Sequence, residues 1–179
     1  MEFIINRDIF LKSIGHASGI VEKKTTLPIL SNILIEAKNS KIKITATDLD
    51  IIYSEEIAVK SLIKEGTTTT SASILYDILR KLESNSDVKL SLQSSNKLNL
   101  MSGNSKFNLL CLSADNFPLS DEDIKQKPFE VPSQKLLNLL NKTKISISND
   151  ETRHYLNGIY LHKMNLENKS FLYGIATDS

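Results

Sequence analysis

The feature that most constrains this chain is a repeat of itself. Phe3-Ile4-Ile5-Asn6-Arg7-Asp8-Ile9-Phe10-Leu11-Lys12 runs from an apolar strand through a polar start into a helical pattern, and Phe129-Glu130-Val131-Pro132-Ser133-Gln134-Lys135-Leu136-Leu137 follows the same plan 126 positions later. Ser31-Asn32-Ile33-Leu34-Ile35 returns as Leu156-Asn157-Gly158-Ile159-Tyr160-Leu161, with Asn157 lying 125 positions after Asn32. Ile44-Thr45-Ala46-Thr47-Asp48 returns as Tyr173-Gly174-Ile175-Ala176-Thr177-Asp178, with the aspartates 130 positions apart. Three landmarks in one order at nearly constant spacing mean a duplicated domain, since solenoid repeats have periods of roughly 20–50 residues. After Asp48 the first copy continues for about 75 residues, whereas the second reaches Ser179 one residue after Asp178. The expected division is a first domain over 1–125, a linker near Lys125 to Pro128, and an incomplete second copy over 129–179.

Within a copy, Lys41-Ile42-Lys43-Ile44-Thr45-Ala46 and Val88-Lys89-Leu90-Ser91-Leu92 alternate apolar and polar residues, as strands with one buried face do. Lys97–Met101 and Lys106–Leu112 flank Ser102-Gly103-Asn104-Ser105, where Gly and Asn permit positive φ, and read as a hairpin. Two helices are expected in the first copy. One buries Ile9, Phe10, Ile14 and Ala17 and turns Lys12 and His16 outward. The other, capped by Ser71 or Ser73, buries Ile74, Leu75, Ile78, Leu79 and Leu82 and turns Arg80 and Lys81 away. The second copy opens with a helix capped by Ser133, with Leu136, Leu137 and Leu140 inside and Lys135, Lys142 and Lys144 outside. The fold class that follows is α+β, with helices packed on one face of a mainly antiparallel sheet and the domain duplicated.

Charge matters here through its arrangement. Twenty-two basic residues face 21 acidic ones, so the net charge of +1 announces no nucleic-acid partner. Lys125 to Arg153, however, holds six cations against three acids. The bland explanation is a solubilising surface; the functional one is that the helices, rather than the sheets, form a sequence-blind phosphate track. No apolar run approaches the ~18 residues of a membrane helix, and the N-terminus lacks the pattern of a secretory signal, so a cytoplasmic protein is expected.

Motifs of catalysis are missing. Cys111 stands alone, which forbids an intramolecular disulfide, and is expected to be a buried strand residue. His16, His154 and His162 lack partners at metal-ligand spacing, Gly66, Gly103 and Gly158 form no phosphate loop, and no Gly-x-Ser-x-Gly elbow occurs. No metal or cofactor is expected. Asp48 and Asp178, each after Ala-Thr at a strand end, read as turns whose carboxylates accept backbone N–H groups rather than as paired catalytic acids.

Thr26-Leu27-Pro28-Ile29-Leu30-Ser31-Asn32, Ala46-Thr47-Asp48-Leu49, Ser102-Gly103-Asn104-Ser105-Lys106-Phe107, Ala114-Asp115-Asn116-Phe117-Pro118, Arg153-His154-Tyr155-Leu156-Asn157-Gly158 and Ala176-Thr177-Asp178-Ser179 closely resemble the bacterial DNA polymerase III β subunits, the β sliding clamps, over the whole chain. The resemblance implies the DNA clamp fold and a non-catalytic processivity factor. Two three-domain chains of that family close head to tail around duplex DNA and tether the replicative polymerase, the clamp loader and other clamp-binding proteins. It also implies site residues. Lys24 and the Asp150–Tyr155 loop, with Arg153, His154 and Tyr155, occupy DNA-contacting places, and Lys12, Arg80, Lys81 and Lys142 would extend the helix-lined track. His154-Tyr155 stands where the family has two aromatics, and Asp150 takes a usually neutral place, where it would repel phosphate. Leu156, Thr177 and Ser179 match the beginning of the pocket that receives an apolar peptide from partner proteins. Lys97, Lys106, Phe107 and Leu109 resemble the ring-closing edge, with Phe107 and Leu109 entering the neighbouring chain. The alternative is a truncated or split-gene product that folds its first domain without forming a ring.

Overall fold

The computed structural model describes residues 1–21, 27–94, 96–119, 129–166 and 169–179. They fall into two compact units, Met1–Asp121 and Glu122–Ser179. The linker expected near Lys125 to Pro128 lies outside the described residues.

In the first unit, strand β1 (Glu2–Asn6) leads directly into α1 (Arg7–Ser18), and β2 (Asn32–Lys38), β3 (Lys41–Thr47), β4 (Ile52–Ala58), β5 (Ser61–Lys64) and β6 (Gly66–Ser71) precede α2 (Ala72–Lys81). The unit closes with β7 (Asp87–Ser94), β8 (Lys97–Ser102) and β9 (Ser105–Leu110). The strands make two antiparallel sheets, ordered β5-β1-β7-β8-β9 and β4-β3-β2-β6. The expected α+β arrangement of helices on antiparallel sheet is present, with the strands divided between two sheets and β1 inserted between β5 and β7. Phe3, Ile5, Ile33, Ile35, Ile42, Ile44, Leu90, Leu98 and Leu100 of the strands pack with Phe10, Ile14, Leu75 and Leu79 of the helices in one buried cluster. Two threonines stitch the sheet edges together: Thr69 Oγ1 donates to the carbonyl of Leu112 at 2.9 Å and Thr70 Oγ1 to that of Leu110 at 3.1 Å.

Both helices begin where a side chain satisfies orphaned backbone donors. Asn6 Oδ1 accepts from the N–H groups of Asp8 (3.0 Å) and Ile9 (3.3 Å), and Ser71 Oγ from that of Ile74 (3.4 Å). Phe10, Ser13, Ile14 and Ala17 form the buried row of α1; Ile9 is 51% exposed and Ile74 54%, against expectation. Each lies one residue, about 100° of helix rotation, from a buried neighbour, which takes it off the inner stripe. Arg7 is buried at the start of α1. Its Nε donates to the carbonyl of Leu79 at 2.6 Å and an Nη to that of Arg80 at 2.9 Å, so it fills acceptors left at the end of α2. Gly103 takes φ +54 in the β8–β9 turn. Asp48 Oδ1 accepts from Asp50 N–H (3.1 Å) and Ile51 N–H (2.7 Å), the turn its setting implied.

The second unit holds α3 (Ser133–Thr143), β10 (Tyr160–Leu166) and β11 (Lys169–Ile175). Pro132 stands at the N-cap and makes no side-chain bond, so the expected Ser133 cap is corrected: Ser133 is already the first helical residue. Leu136, Leu139 and Leu140 are half-buried, while Leu137, expected inside, is 51% exposed. The hairpin register restates the repeat. Ile35↔Ile44 and Glu36↔Lys43 of β2–β3 become Lys163↔Leu172 and Met164↔Phe171 of β10–β11, a shift of 128 positions on each strand. Gly174 lets α3 approach β11, since a Cβ there would stand 3.2 Å from Leu139 Cγ and Thr143 Oγ1.

Candidate nucleic-acid interface and peptide cleft

The outward faces of α1 and α2 carry the expected track only in part. Lys12, Arg80 and Lys81 are all exposed, but Arg80 reaches Asp77 at 3.5 Å, and Ile9 and Ile74 share the solvent surface. The expectation that helices rather than sheets carry the positive surface is also corrected. Lys38, Lys41, Lys43, Lys64, Lys97 and Lys106 project from strands into solvent, because every second residue of a half-buried strand must face water. Lys24 lies outside the described residues. In the second unit Lys142 is exposed in the last turn of α3, where its charge also complements the helix dipole.

A polar network that sequence patterns did not reveal pins β4 to α1. Glu55 Oε2 accepts from Ser13 Oγ and from Tyr53 OH, both at 2.5 Å, and lies 3.8 Å from His16 Nδ1. These bonds, with Ser13 contributing most, hold the Glu55 carboxyl below its usual range, and burial together with Glu55 pushes the Tyr53 hydroxyl up to about 12. The only signal in the sequence was alternation, which sets Tyr53, Glu55 and Ile57 on one face of β4 but does not bring them to α1.

The loop from Ser148 to Leu156 positions the second candidate group. Ser148 N–H donates to the carbonyl of Leu156 at 3.1 Å and Leu156 N–H to that of Arg153 at 2.9 Å, closing the loop on itself. Arg153 Nε is 2.8 Å from Asp150 Oδ2. Tyr155 projects into solvent, 81% exposed. Asp150, expected to repel phosphate, thus makes its closest ionic contact inside the loop.

His154, Tyr155, Leu156, Asn157, Gly158, Ile159 and Tyr160 form one wall of a cleft of about 360 Å³, with Ile175, Ala176 and Thr177 opposite. Leu156 and Thr177, expected to begin a peptide pocket, therefore meet across one cavity, and His154 and Tyr155, expected on DNA, share its rim. Ser179 does not line it; its N–H donates to Thr177 Oγ1 at 3.3 Å and its carbonyl accepts from that hydroxyl at 2.7 Å. The walls supplied by Tyr160 and Ile175 come from facing ends of the β10–β11 hairpin, a pairing visible only once the register is known.

Of the four residues expected at a ring edge, Lys106 is exposed on β9, the outer strand of its sheet, Lys97 is exposed on the neighbouring β8, and Phe107 is half-buried against the core. Leu109 is corrected: it is 4% exposed and belongs to the unit's own core, so it has no side chain to offer a neighbour. The next residue, Leu110, points to the other face and is 83% exposed. Among the described residues no three His, Cys, Asp or Glu side chains gather as a metal site, and no helix is long and apolar enough to cross a membrane.

Two α+β units of one plan, with antiparallel sheets backing helices, are the architecture of a DNA clamp. The description "DNA polymerase III beta subunit, N-terminal domain" matches residues 1–121, and the chain belongs to that family. A β sliding clamp of Caulobacter vibrioides is 38% identical over 179 residues, covering 99% of this chain and 48% of its own length. One from Buchnera aphidicola is 36% identical, covering 99% of this chain and 47% of its own. Among solved structures, the sliding clamp of Caulobacter crescentus superposes with a TM-score of 0.92 at 38% identity, covering 99% of this chain and 47% of that one. The sliding clamp of Bartonella birtlesii, solved bound to griselimycin, superposes at 0.91 with 40% identity and the same two coverages. The chain thus spans about half the length of the curated relatives it matches.

Proposed function

We propose that this chain serves in a β sliding clamp, a non-catalytic processivity factor of the DNA polymerase III holoenzyme that works in the cytoplasm. Its partners in this reading are duplex DNA, held without regard to sequence, and the replicative polymerase, clamp loader and other clamp-binding proteins. The superposition of 99% of the chain on a clamp with a TM-score of 0.92 carries the reading. Lys12, Arg80, Lys81, Lys142 and the His154–Tyr155 turn, together with Lys24 by the place the resemblance gives it, are the DNA-contacting residues in this reading. Exposed lysines suit that task, because each phosphate contact is weak and salt-dependent and the ring must slide. The cleft between Leu156 and Thr177 receives an apolar peptide of a partner, with Ser179 outside it and bonded to Thr177 Oγ1. Lys106, Phe107 and Leu110 along the outer strand β9, with Lys97 on the neighbouring β8, form the ring-closing edge of a head-to-tail dimer.

Retention on circular DNA tests this reading. The chain, and the chain extended by the remaining half of the Caulobacter clamp, are assembled with a clamp loader on nicked circles and passed through a sizing column. Retention of the extended form on circles, and its loss on cutting the circle, is the expected outcome. Release from circles as fast as from linear DNA in both forms overturns the function, and retention of the extended form alone shows that these 179 residues do not encircle DNA unaided.

A further inference from the structure

The Ser148–Leu156 loop spends its cation on itself. Asp150 Oδ2 accepts from Arg153 Nε at 2.8 Å, and the Asp150 carbonyl accepts from Arg153 N–H at 3.1 Å. Oδ1 accepts from Thr152 N–H at 2.9 Å and from Thr152 Oγ1 at 2.6 Å. Asp150 N–H in turn donates to Ser148 Oγ at 3.1 Å, and Ser148 is 6% exposed, which anchors the clasp to the body of the unit. The bonds from Thr152 first, then that from Arg153, hold the Asp150 carboxyl below the usual carboxylate range, so it is charged at neutral pH. With Glu151 exposed beside it, the segment 150–153 carries two negative charges and one positive.

A guanidinium recognises phosphate and carboxylate with the same planar fork of N–H donors, so one group excludes the other from the Nε edge. We propose that Asp150 masks the Nε edge of Arg153 from phosphate and offsets its charge, so that this loop meets a duplex through the exposed ring of Tyr155 and the neighbouring His154 and makes no phosphate contact through that edge of its arginine. The inference rests on the reading of this loop as DNA-facing, and it assigns Asp150 the role of setting how strongly, and with how much salt dependence, the loop binds. Because the clasp joins residues within five positions, its strength is a local property of Ser148, Asp150, Thr152 and Arg153.

The test uses the full chain and a fluorescein-labelled duplex of about 20 base pairs, with anisotropy read over a series of salt concentrations. Asp150→Asn keeps the shape and an acceptor for Thr152 but removes the charge. It is expected to tighten duplex binding and to steepen the slope of log K against log salt by about 0.9, the contribution of one added phosphate contact. Arg153→Gln in the D150N background is expected to abolish that gain, while Arg153→Gln alone leaves the slope unchanged. If R153Q alone weakens binding and flattens the slope, Arg153 already sits on phosphate and the proposal fails. If D150N changes nothing while Lys12→Ala and Lys81→Ala weaken binding, the proposal fails and the DNA reading stands. The clasp has its own readout without DNA: the Arg153 Nε–H resonance shifts and exchanges faster with water in D150N, and an unmoved resonance overturns the proposal. A clasp seen by this resonance in a chain that binds no duplex at all, with or without D150N, overturns the proposal, and retention of the extended chain on circles decides the DNA reading separately.

Discussion

Phe10, Ser13, Ile14 and Ala17 of α1 hold the same places in the repeat as Leu136, Leu139, Leu140 and Thr143 of α3, yet the first four are buried and the second four only half-buried. The helical stripe is the same, so the pattern does not set the depth. What differs is the number of elements that close over it. α1 packs against α2 and lies on β1, β3 and β4, whereas α3 rests chiefly on β11. The hairpins teach the same lesson: Ile42, Ile44 and Ala46 of β3 are buried, while their counterparts Ser170, Leu172 and Gly174 of β11 are exposed or half-buried. An amphipathic segment fixes which face turns inward, and its neighbours decide what that burial contributes to stability.

The sharpest way to break this comparison is to truncate the two equivalent side chains. Phe10→Ala empties a fully buried site and is expected to destabilise the first unit by about 3–5 kcal/mol; Leu136→Ala, at a half-buried site, should cost roughly 1–2 kcal/mol. Urea titrations followed by hydrogen exchange, which reads peptides of α1 and α3 separately, measure both. Equal costs would mean that the repeat, and not its surroundings, governs stability.

A smaller effect is expected from Glu55, whose carboxylate holds Ser13, and through it α1, to β4. The second unit has Leu139 where the first has Ser13, so it has no such bond to lose. Because the folded Glu55 carboxyl lies below its ordinary range, its contribution is present above that range and is lost as pH falls through the folded value. Glu55→Gln should therefore cost the first unit about 1 kcal/mol at neutral pH and flatten the acid limb of its stability profile. Exchange rates in α1 measured from neutral to acid pH check it; an unchanged acid limb in E55Q would assign the acid sensitivity to other carboxylates.

Much of this architecture was legible from residue patterns, and the exceptions share a cause. Gly103 marked the β8–β9 turn, Asp48 another and Ser71 or Ser73 a helix start, because each is decided by residues a few positions apart. Leu109 and Leu110 show where such reasoning stops. Alternation puts them on opposite faces of β9, but which face is the core depends on β6 and on the opposing sheet. Arg7 looked like any basic residue at a helix start, and its burial follows from carbonyls of Leu79 and Arg80 that lie more than 70 positions away. The candidate sites divide similarly. Leu156 and Thr177 were paired by resemblance and meet in one cleft, while the clasp on Arg153 needed side-chain geometry to be seen.

The smallest expected effect tests the Glu55 network from its other end. Tyr53 ionises at about 12, and burial is the first cause, ahead of the hydrogen bond to Glu55. Since the folded state keeps the phenolic proton more tightly than the unfolded chain, the associated stability is intact below the ordinary tyrosine value of about 10 and declines between there and 12. Nothing should change at neutral pH. In the alkaline range, the ultraviolet difference between the unaltered chain and Tyr53→Phe isolates this one ionisation. In an E55Q background it should move part of the way down and no further, because removing the carboxylate leaves the ring as buried as before. A complete return to the ordinary value would show that charge alone raised it, and that the packing of β4 on α1 is looser than the buried row of Phe10, Ser13, Ile14 and Ala17 implies.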